Sequence, residues 1–266
     1  MSSIRFNINY LKYTIFNPAF AGFFLPKMNV VIDIGNTLIK VASFDKDRLI
    51  DVYRLNDDEV LSCIQKINPQ SGIFSFVREI PEIQSGIKKM GKFLFFSTDL
   101  RMPIELNYQS KETLGQDRIA NAVGANILYP KQNNLIIDIG TCITYDVVDE
   151  NAVYHGGAIS PGFDMRLKSL HHYTSKLPLV DMSLLKPPKI GKTTEGSIQS
   201  GVVNGVLAEI KQIIDDYRDH FENMNVILTG GHSSFVKSIV EFEKNGIFAL
   251  ENLTLIGLNE ILRYNV

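Results

Sequence analysis

The chain has 266 residues, 45% of them hydrophobic and 21% charged, enough for one large domain or two half-sized ones around a sizeable core. A formal net charge of −2 argues against a general nucleic-acid binder, and no apolar run near the N-terminus is long enough to span a bilayer. Cys63 and Cys142 lie far apart with no metal-type spacing, which fits reduced thiols in a cytoplasm.

Residues 1–27 are rich in Phe, Tyr and Asn and read as an N-terminal extension, outside the fold, that arises from an upstream start codon. Phe20–Leu25 is too short and too late to be the centre of a signal peptide. The fold is expected to begin at Met28. Val30–Ile32 and Ile39–Phe44 read as strands joined by the turn Gly35-Asn36-Thr37. Asp57–Ile67 has helical apolar spacing at Val60, Leu61, Ile64 and Ile67. Gly72–Val77 and Phe93–Ser97 read as strands separated by a helix that starts at Pro81. Gln116–Leu128 is helical, with Ile119, Ala120, Val123 and Ile127 on one side.

The pattern then restarts. Leu135–Asp138 and Ile143–Val148 repeat the first hairpin, and Gly156–Gly162 reads as a glycine-rich turn region before a helix over Phe163–Ser175. Pro187-Pro188 marks a loop. Ser197–Phe221 is the longest helix, striped by Ile198, Val202, Val206, Ile210, Ile213 and Tyr217. Val226–Leu228 is a strand into Thr229-Gly230-Gly231, with a helix from Ser234. The repetition suggests a duplicated α/β unit, one half over 28–130 and the other over 131–266, divided near Tyr129–Asn133.

Two turns carry the most chemistry. Asp33-Ile34-Gly35-Asn36-Thr37 and Asp138-Ile139-Gly140-Thr141 each follow a short apolar run. An aspartate ending a hydrophobic strand is costly to bury alone, and near a triphosphate it needs a cation between, a role that hydrated Mg²⁺ fills. Gly35 and Gly140 let phosphate oxygens approach the backbone, and Thr37 and Thr141 can donate hydroxyl hydrogen bonds. The plainer reading is a pair of tight hairpin turns. Gly115-Gln116-Asp117-Arg118 precedes a helix. Asp117 could cap that helix, or it could accept the proton of an alcohol during phosphoryl transfer while Arg118 binds substrate.

Gly191-Lys192-Thr193-Thr194 is not a P-loop, because no strand and glycine stand before it. It reads as a helix start with Thr193 or Thr194 near the cap. Gly230-Gly231 fits an adenosine-binding turn or a tight strand-to-helix connection. His171 and His172 read as surface residues, and His155 and His232 have no evident partner.

Together these motifs resemble the type III pantothenate kinases of the acetate kinase, sugar kinase, Hsp70 and actin superfamily, in order and spacing from Met28 to Val266. The resemblance implies an α/β fold of two duplicated RNase H-like, actin-like ATPase halves around a central nucleotide cleft. It implies ATP-dependent phosphorylation of pantothenate to 4′-phosphopantothenate, the first step of coenzyme A biosynthesis, in a cytoplasmic homodimer. ATP would be bound by Asp33, Ile34, Gly35, Asn36, Thr37, Leu38, Ile39, Lys40 and Thr141. Pantothenate would be bound by Tyr108, Gly115, Gln116, Asp117, Arg118 and Thr194, with Asp117 as the catalytic base. Mg²⁺ would accompany ATP, and Asp138 would bind a monovalent cation, K⁺ or NH₄⁺.

Two positions depart from the family pattern. Cys142 stands where a small Ala is usual, and Lys192-Thr193 replaces Arg-Asn. The alternatives are another small-molecule kinase or a non-catalytic regulator on the same fold; retention of Asp33, Asp117 and Asp138 argues against a dead domain.

Overall fold

Three strands open the fold: β1 (Asn29–Ile34), β2 (Ile39–Asp45) and β3 (Arg48–Leu55) form an antiparallel meander. The computed structural model describes residues 28–35, 38–182, 186–239 and 246–266. The expected extension over 1–27 and the turn residues Asn36 and Thr37 lie outside the described residues.

Helix α1 (Val60–Ile67) carries the chain to β4 (Ser71–Phe76), which runs parallel to β1. Helix α2 (Pro81–Met90) leads on to β5 (Phe93–Phe95). Proline at the first helical position starts α2, where a missing N–H costs nothing, and Gly91 ends it with φ +67°. After β6 (Glu105–Leu106) comes α3 (Gln116–Leu128).

The second meander is β7 (Asn134–Ile139), β8 (Cys142–Val148) and β9 (Val153–Pro161). It is followed by α4 (Phe163–His172), α5 (Thr194–Arg218), β10 (Asn225–Thr229), α6 (Ser233–Ile239), β11 (Ile247–Ala249) and α7 (Leu253–Asn265). The first sheet is ordered β3-β2-β1-β4-β5. The second is ordered β11-β10-β7-β8-β9-β6, the same arrangement with β6 added at its edge. The fold is therefore α/β with two like-ordered sheets, the duplicated actin-like arrangement.

Period-2 alternation assigns each strand face to its layer. Val31 and Ile73 of the first sheet, and Ile136 and Ile227 of the second, share one core cluster with Ala120 and Val123 of α3 and Leu258 and Ile261 of α7. The α3–α7 pair thus packs against an inner face of both sheets. Val30, Ile32 and Ile34 turn the other way, toward α1 and α2. Leu135, Ile137 and Ile139 turn toward α4 and α5. The same parity puts Asp33 with Val31 and Asp138 with Ile136, so both carboxylates face the α3–α7 layer.

Glycine makes that layer thin. A Cβ on Gly124 of α3 would lie 2.7 Å from the Leu253 carbonyl oxygen, and one on Gly257 of α7 would fall far inside contact with the Ala120 carbonyl oxygen.

Several segments differ from their sequence reading. The expected turn over Gly156–Gly162 is mostly strand β9. Gly157 lets β9 close on β8, where a Cβ would collide with the Tyr145 carbonyl, and Gly156 takes φ +85°. β3 was not expected because it is a largely exposed edge strand with no apolar alternation. β6, β11 and α7 were not expected either. Helix α5 starts at Thr194 rather than Ser197, capped by Thr193, whose Oγ1 accepts the Gly196 N–H at 3.0 Å. Among the described residues no helix is long and apolar enough to cross a membrane.

Candidate active site

Asp33 ends β1 opposite Lys40 on β2 and Ser75 on β4, and the Ser75 hydroxyl donates to its Oδ1 at 3.0 Å. Burial pushes the Asp33 carboxyl above its ordinary range; Ser75 and Lys40 oppose the rise and Asp117 adds to it. Asp138 ends β7 beside Thr229 of β10, and Asn121 of α3 donates from Nδ2 to its Oδ2 at 2.9 Å. Burial is the main cause that raises Asp138 to about 6; Asn121 and Lys40 pull it back, and Asp117 and Asp33 push it up. Lys40 and Asp117 thus lie near enough to act on both the Asp33 and the Asp138 carboxyl groups.

The backbone around these carboxylates is stripped of side chains. The first turn closes with the Gly35 N–H donating to the Leu38 carbonyl at 3.1 Å, the second with the Gly140 N–H donating to the Cys142 carbonyl at 3.0 Å. Gly230 adopts φ +86°, and a Cβ there would strike Asp138 Oδ1. Gly162 is pressed as closely onto the carbonyls of Gly140 and Thr141. Two half-buried acids beside glycine turns fit a cation-bearing polyphosphate, whose cation supplies a counter-charge and whose oxygens can approach backbone that carries no side chain at Gly35 and Gly140.

Asp117 lies in the first turn of α3 but is not its cap. Gly115 is the N-cap, and Asp117 Oδ1 accepts the Arg118 N–H at 2.9 Å. A Cβ on Gly115 would stand 2.5 Å from that oxygen, so glycine keeps the carboxylate clear. A helix N-terminus favours a negative group at this point.

Gln116 commits its side chain to the fold. Its Oε1 accepts the Phe76 N–H at 3.0 Å and its Nε2 donates to the Phe96 carbonyl at 3.5 Å, which ties α3 to the first sheet. Arg118 is buried beside Asp146 and lies over the Tyr108 ring, 6.0 Å from its centroid. Tyr108 in turn packs on Tyr154, centroids 6.0 Å apart. A Cβ on Gly156 would come within 3.0 Å of the Tyr108 ring.

The remaining expected site residues divide. Thr141 is exposed on the second turn, and Leu38 is 39% exposed on the first. Ile34 and Ile39 are core residues, 0% and 1% exposed, so only their backbone faces the turn. Thr194 is exposed at the start of α5, which packs on the outer face of the second sheet. Among the described residues no hydrogen bond joins it to α3.

Sequence reasoning missed Ser75, Asn121, Asp146 and Tyr154. Asn121 was within reach, because it lies four residues after Asp117 on the same helix face. Asp146 was flagged by nothing but its place in the middle of an apolar strand. His155 does have a partner: its Nε2 lies 2.8 Å from Asp149 Oδ2. Among the described residues no group of three or more His, Cys, Asp or Glu side chains could by itself hold a metal ion.

Residues 29–216 match the type III pantothenate kinase family. A type III pantothenate kinase of Cytophaga hutchinsonii is 44% identical over 242 residues, covering 90% of this chain and 100% of the relative. That of Christiangramia forsetii is 43% identical over 244 residues, covering 90% and 99%. Among solved structures, a Campylobacter jejuni protein named for the Baf family of transcriptional activators superposes with a TM-score of 0.57 at 23% identity. The match covers 89% of this chain and 98% of that one, a likeness of fold alone. By the extent of these matches, the chain belongs to the type III pantothenate kinase family.

Proposed function

We propose that this protein transfers the γ-phosphoryl group of ATP to the primary hydroxyl of pantothenate, giving 4′-phosphopantothenate and ADP, as the names of its relatives indicate. ATP lies between the Asp33 and Asp138 turns. Backbone N–H groups of the Gly35 and Gly140 turns, the Thr141 hydroxyl and the Lys40 ammonium meet its phosphates, and Gly230-Gly231 borders the adenosine. The pantothenate hydroxyl attacks the γ-phosphorus, its proton passes to the Asp117 carboxylate, and the bond to the β–γ bridging oxygen breaks as ADP leaves. Mg²⁺ carried with ATP and a K⁺ or NH₄⁺ ion at Asp138 would neutralise phosphate charge. The single observation that carries this reading is the like placement of Asp33 on β1 and Asp138 on β7, both on the strand face turned to the α3–α7 layer and both beside a glycine turn.

Pantothenate lies against Tyr108, Gly115 and Arg118. Thr194 joins them in a homodimer, supplied by a second copy of the chain, because within its own chain it sits on the far face of the second sheet. The enzyme works in the cytoplasm, where ATP and K⁺ are abundant.

An ADP-release assay with pantothenate, run with and without K⁺, tests the reading. Asp117→Asn should lower kcat by about 10²–10⁴-fold, the range for a lost general base. Full activity in that variant refutes the base, and no pantothenate-dependent ADP release in the wild type refutes the function.

A further inference from the structure

Asp146 stands in the middle of β8 with 0% exposure. Its Oδ1 accepts from Arg118 Nε at 2.9 Å and from the Tyr154 hydroxyl at 2.7 Å, and Arg118 Nη2 lies 2.7 Å from the same oxygen. Its Oδ2 has no hydrogen-bond partner among the described residues. A desolvated ion pair of this kind is a poor way to stabilise a fold, since apolar residues of similar volume usually do as well or better. A carboxylate at the centre of this strand, with Thr144 its one polar neighbour on the same face and Oδ2 left without a hydrogen bond, calls for another reason.

The geometry supplies one. Arg118 directly follows Asp117 on α3 and spans the gap between Tyr108 and β8. Left to itself a guanidinium on a flexible stem samples many rotamers. Asp146 accepts its Nε–H and holds Nη2 at ion-pair distance, Nη2 has no hydrogen-bond partner among the described residues, and the Tyr108 ring flanks the group. Tyr154 fixes Asp146 in turn and packs on Tyr108, so the chain Tyr154–Asp146–Arg118 closes on the same aromatic wall.

We propose that Asp146, steadied by Tyr154, is a positioning residue that fixes the Arg118 guanidinium for binding of the phosphoryl acceptor. The proposal rests on the reading of this cleft as a pantothenate site. Asp146 touches no substrate. Its effect passes through Arg118, and it bears on the acceptor and not on the nucleotide, whose turns lie at Asp33 and Asp138.

A double-mutant cycle on the KM for pantothenate decides the matter. Asp146→Asn should raise that KM about tenfold or more while the KM for ATP stays within about twofold. In an Arg118→Met background the same Asp146→Asn step should change the pantothenate KM by less than about twofold. Equal steps in both backgrounds, or a parallel rise in the KM for ATP, would mean a general structural role and overturn the proposal. Should Asp146→Asn fail to fold, Tyr154→Phe replaces it in the same cycle, with an expected rise of about threefold that vanishes beside Arg118→Met; an unchanged KM overturns the proposal. Wild-type turnover is read first. Its absence defeats both this inference and the proposed function, whereas normal turnover with an additive cycle defeats this inference alone.

Discussion

Asn121, on the helix that carries Asp117, donates to Asp138 near the end of β7 at 2.9 Å, and its own carbonyl oxygen accepts the Thr254 hydroxyl of α7 at 2.8 Å. One amide thus joins the helix that presents Asp117, the carboxylate of the second turn and the second central helix. It is a polar link through an otherwise apolar layer, and it supports the charged form of Asp138.

Removing it should be visible in pH dependence. The Asn121 hydrogen bond lowers the Asp138 pKa against the larger effect of burial, which leaves it at about 6. Asn121→Ala removes the lowering influence, so Asp138 takes up its proton at higher pH. The acid limb of kcat/KM for ATP should move toward neutrality, and a limb unchanged from wild type would separate Asp138 ionisation from ATP use.

Asp138 itself should cost the unliganded fold stability. Its folded pKa of about 6 exceeds the ordinary carboxylate value of 3.8, so the folded state binds the proton more tightly than the unfolded chain. Ionised Asp138 therefore weakens the fold above pH 6, and the penalty fades as pH falls from about 6 toward 3.8. Asp138→Asn should raise stability at pH 8 by up to about 3 kcal/mol, at roughly 1.4 kcal/mol per pKa unit, with most of the gain gone at pH 4. Denaturant unfolding at both pH values measures this, and a destabilised variant at pH 8 contradicts it.

Gly230→Ala should act on the nucleotide. The backbone there holds φ +86°, which alanine adopts at a cost of about 1–2 kcal/mol, and the new methyl would meet Asp138 Oδ1. The KM for ATP should rise more than the KM for pantothenate. Equal changes in both would point to a general distortion.

Gly257→Ala should act on stability. The added methyl meets the Ala120 carbonyl, backbone against backbone, where no side chain can turn aside. Overpacking of this kind costs about 1–3 kcal/mol, and the thermal midpoint should fall by several degrees. A midpoint equal to wild type would show that α3 and α7 can separate freely.

Much of the site is local in sequence and was legible there. An apolar run, an aspartate and a glycine define each acidic turn without reference to the rest of the chain, and the amphipathic stripe of α5 needs only the 3.6-residue period. Gly115 beside Asp117 announces a helix start by the same local logic. These features repeat along the chain, so the duplication was legible too.

What the sequence left open depends on partners distant along the chain. Gly156 and Gly157 look like turn residues until β8 is known to lie against them, where glycine serves close approach within a strand. That the Gln116 side chain also ties α3 to the first sheet shows only when the Phe76 N–H is seen to reach it. Asp146 gains a purpose only when α3 brings Arg118 to the inner face of β8, and Thr194 is set apart from Asp117 only by the face of the sheet on which α5 packs. The sequence by itself determined the turns and the helix periods, because they arise from neighbours a few residues apart. Tertiary structure alone decided which carboxylate meets which cation, because strand parity and sheet order bring together residues that no local pattern connects.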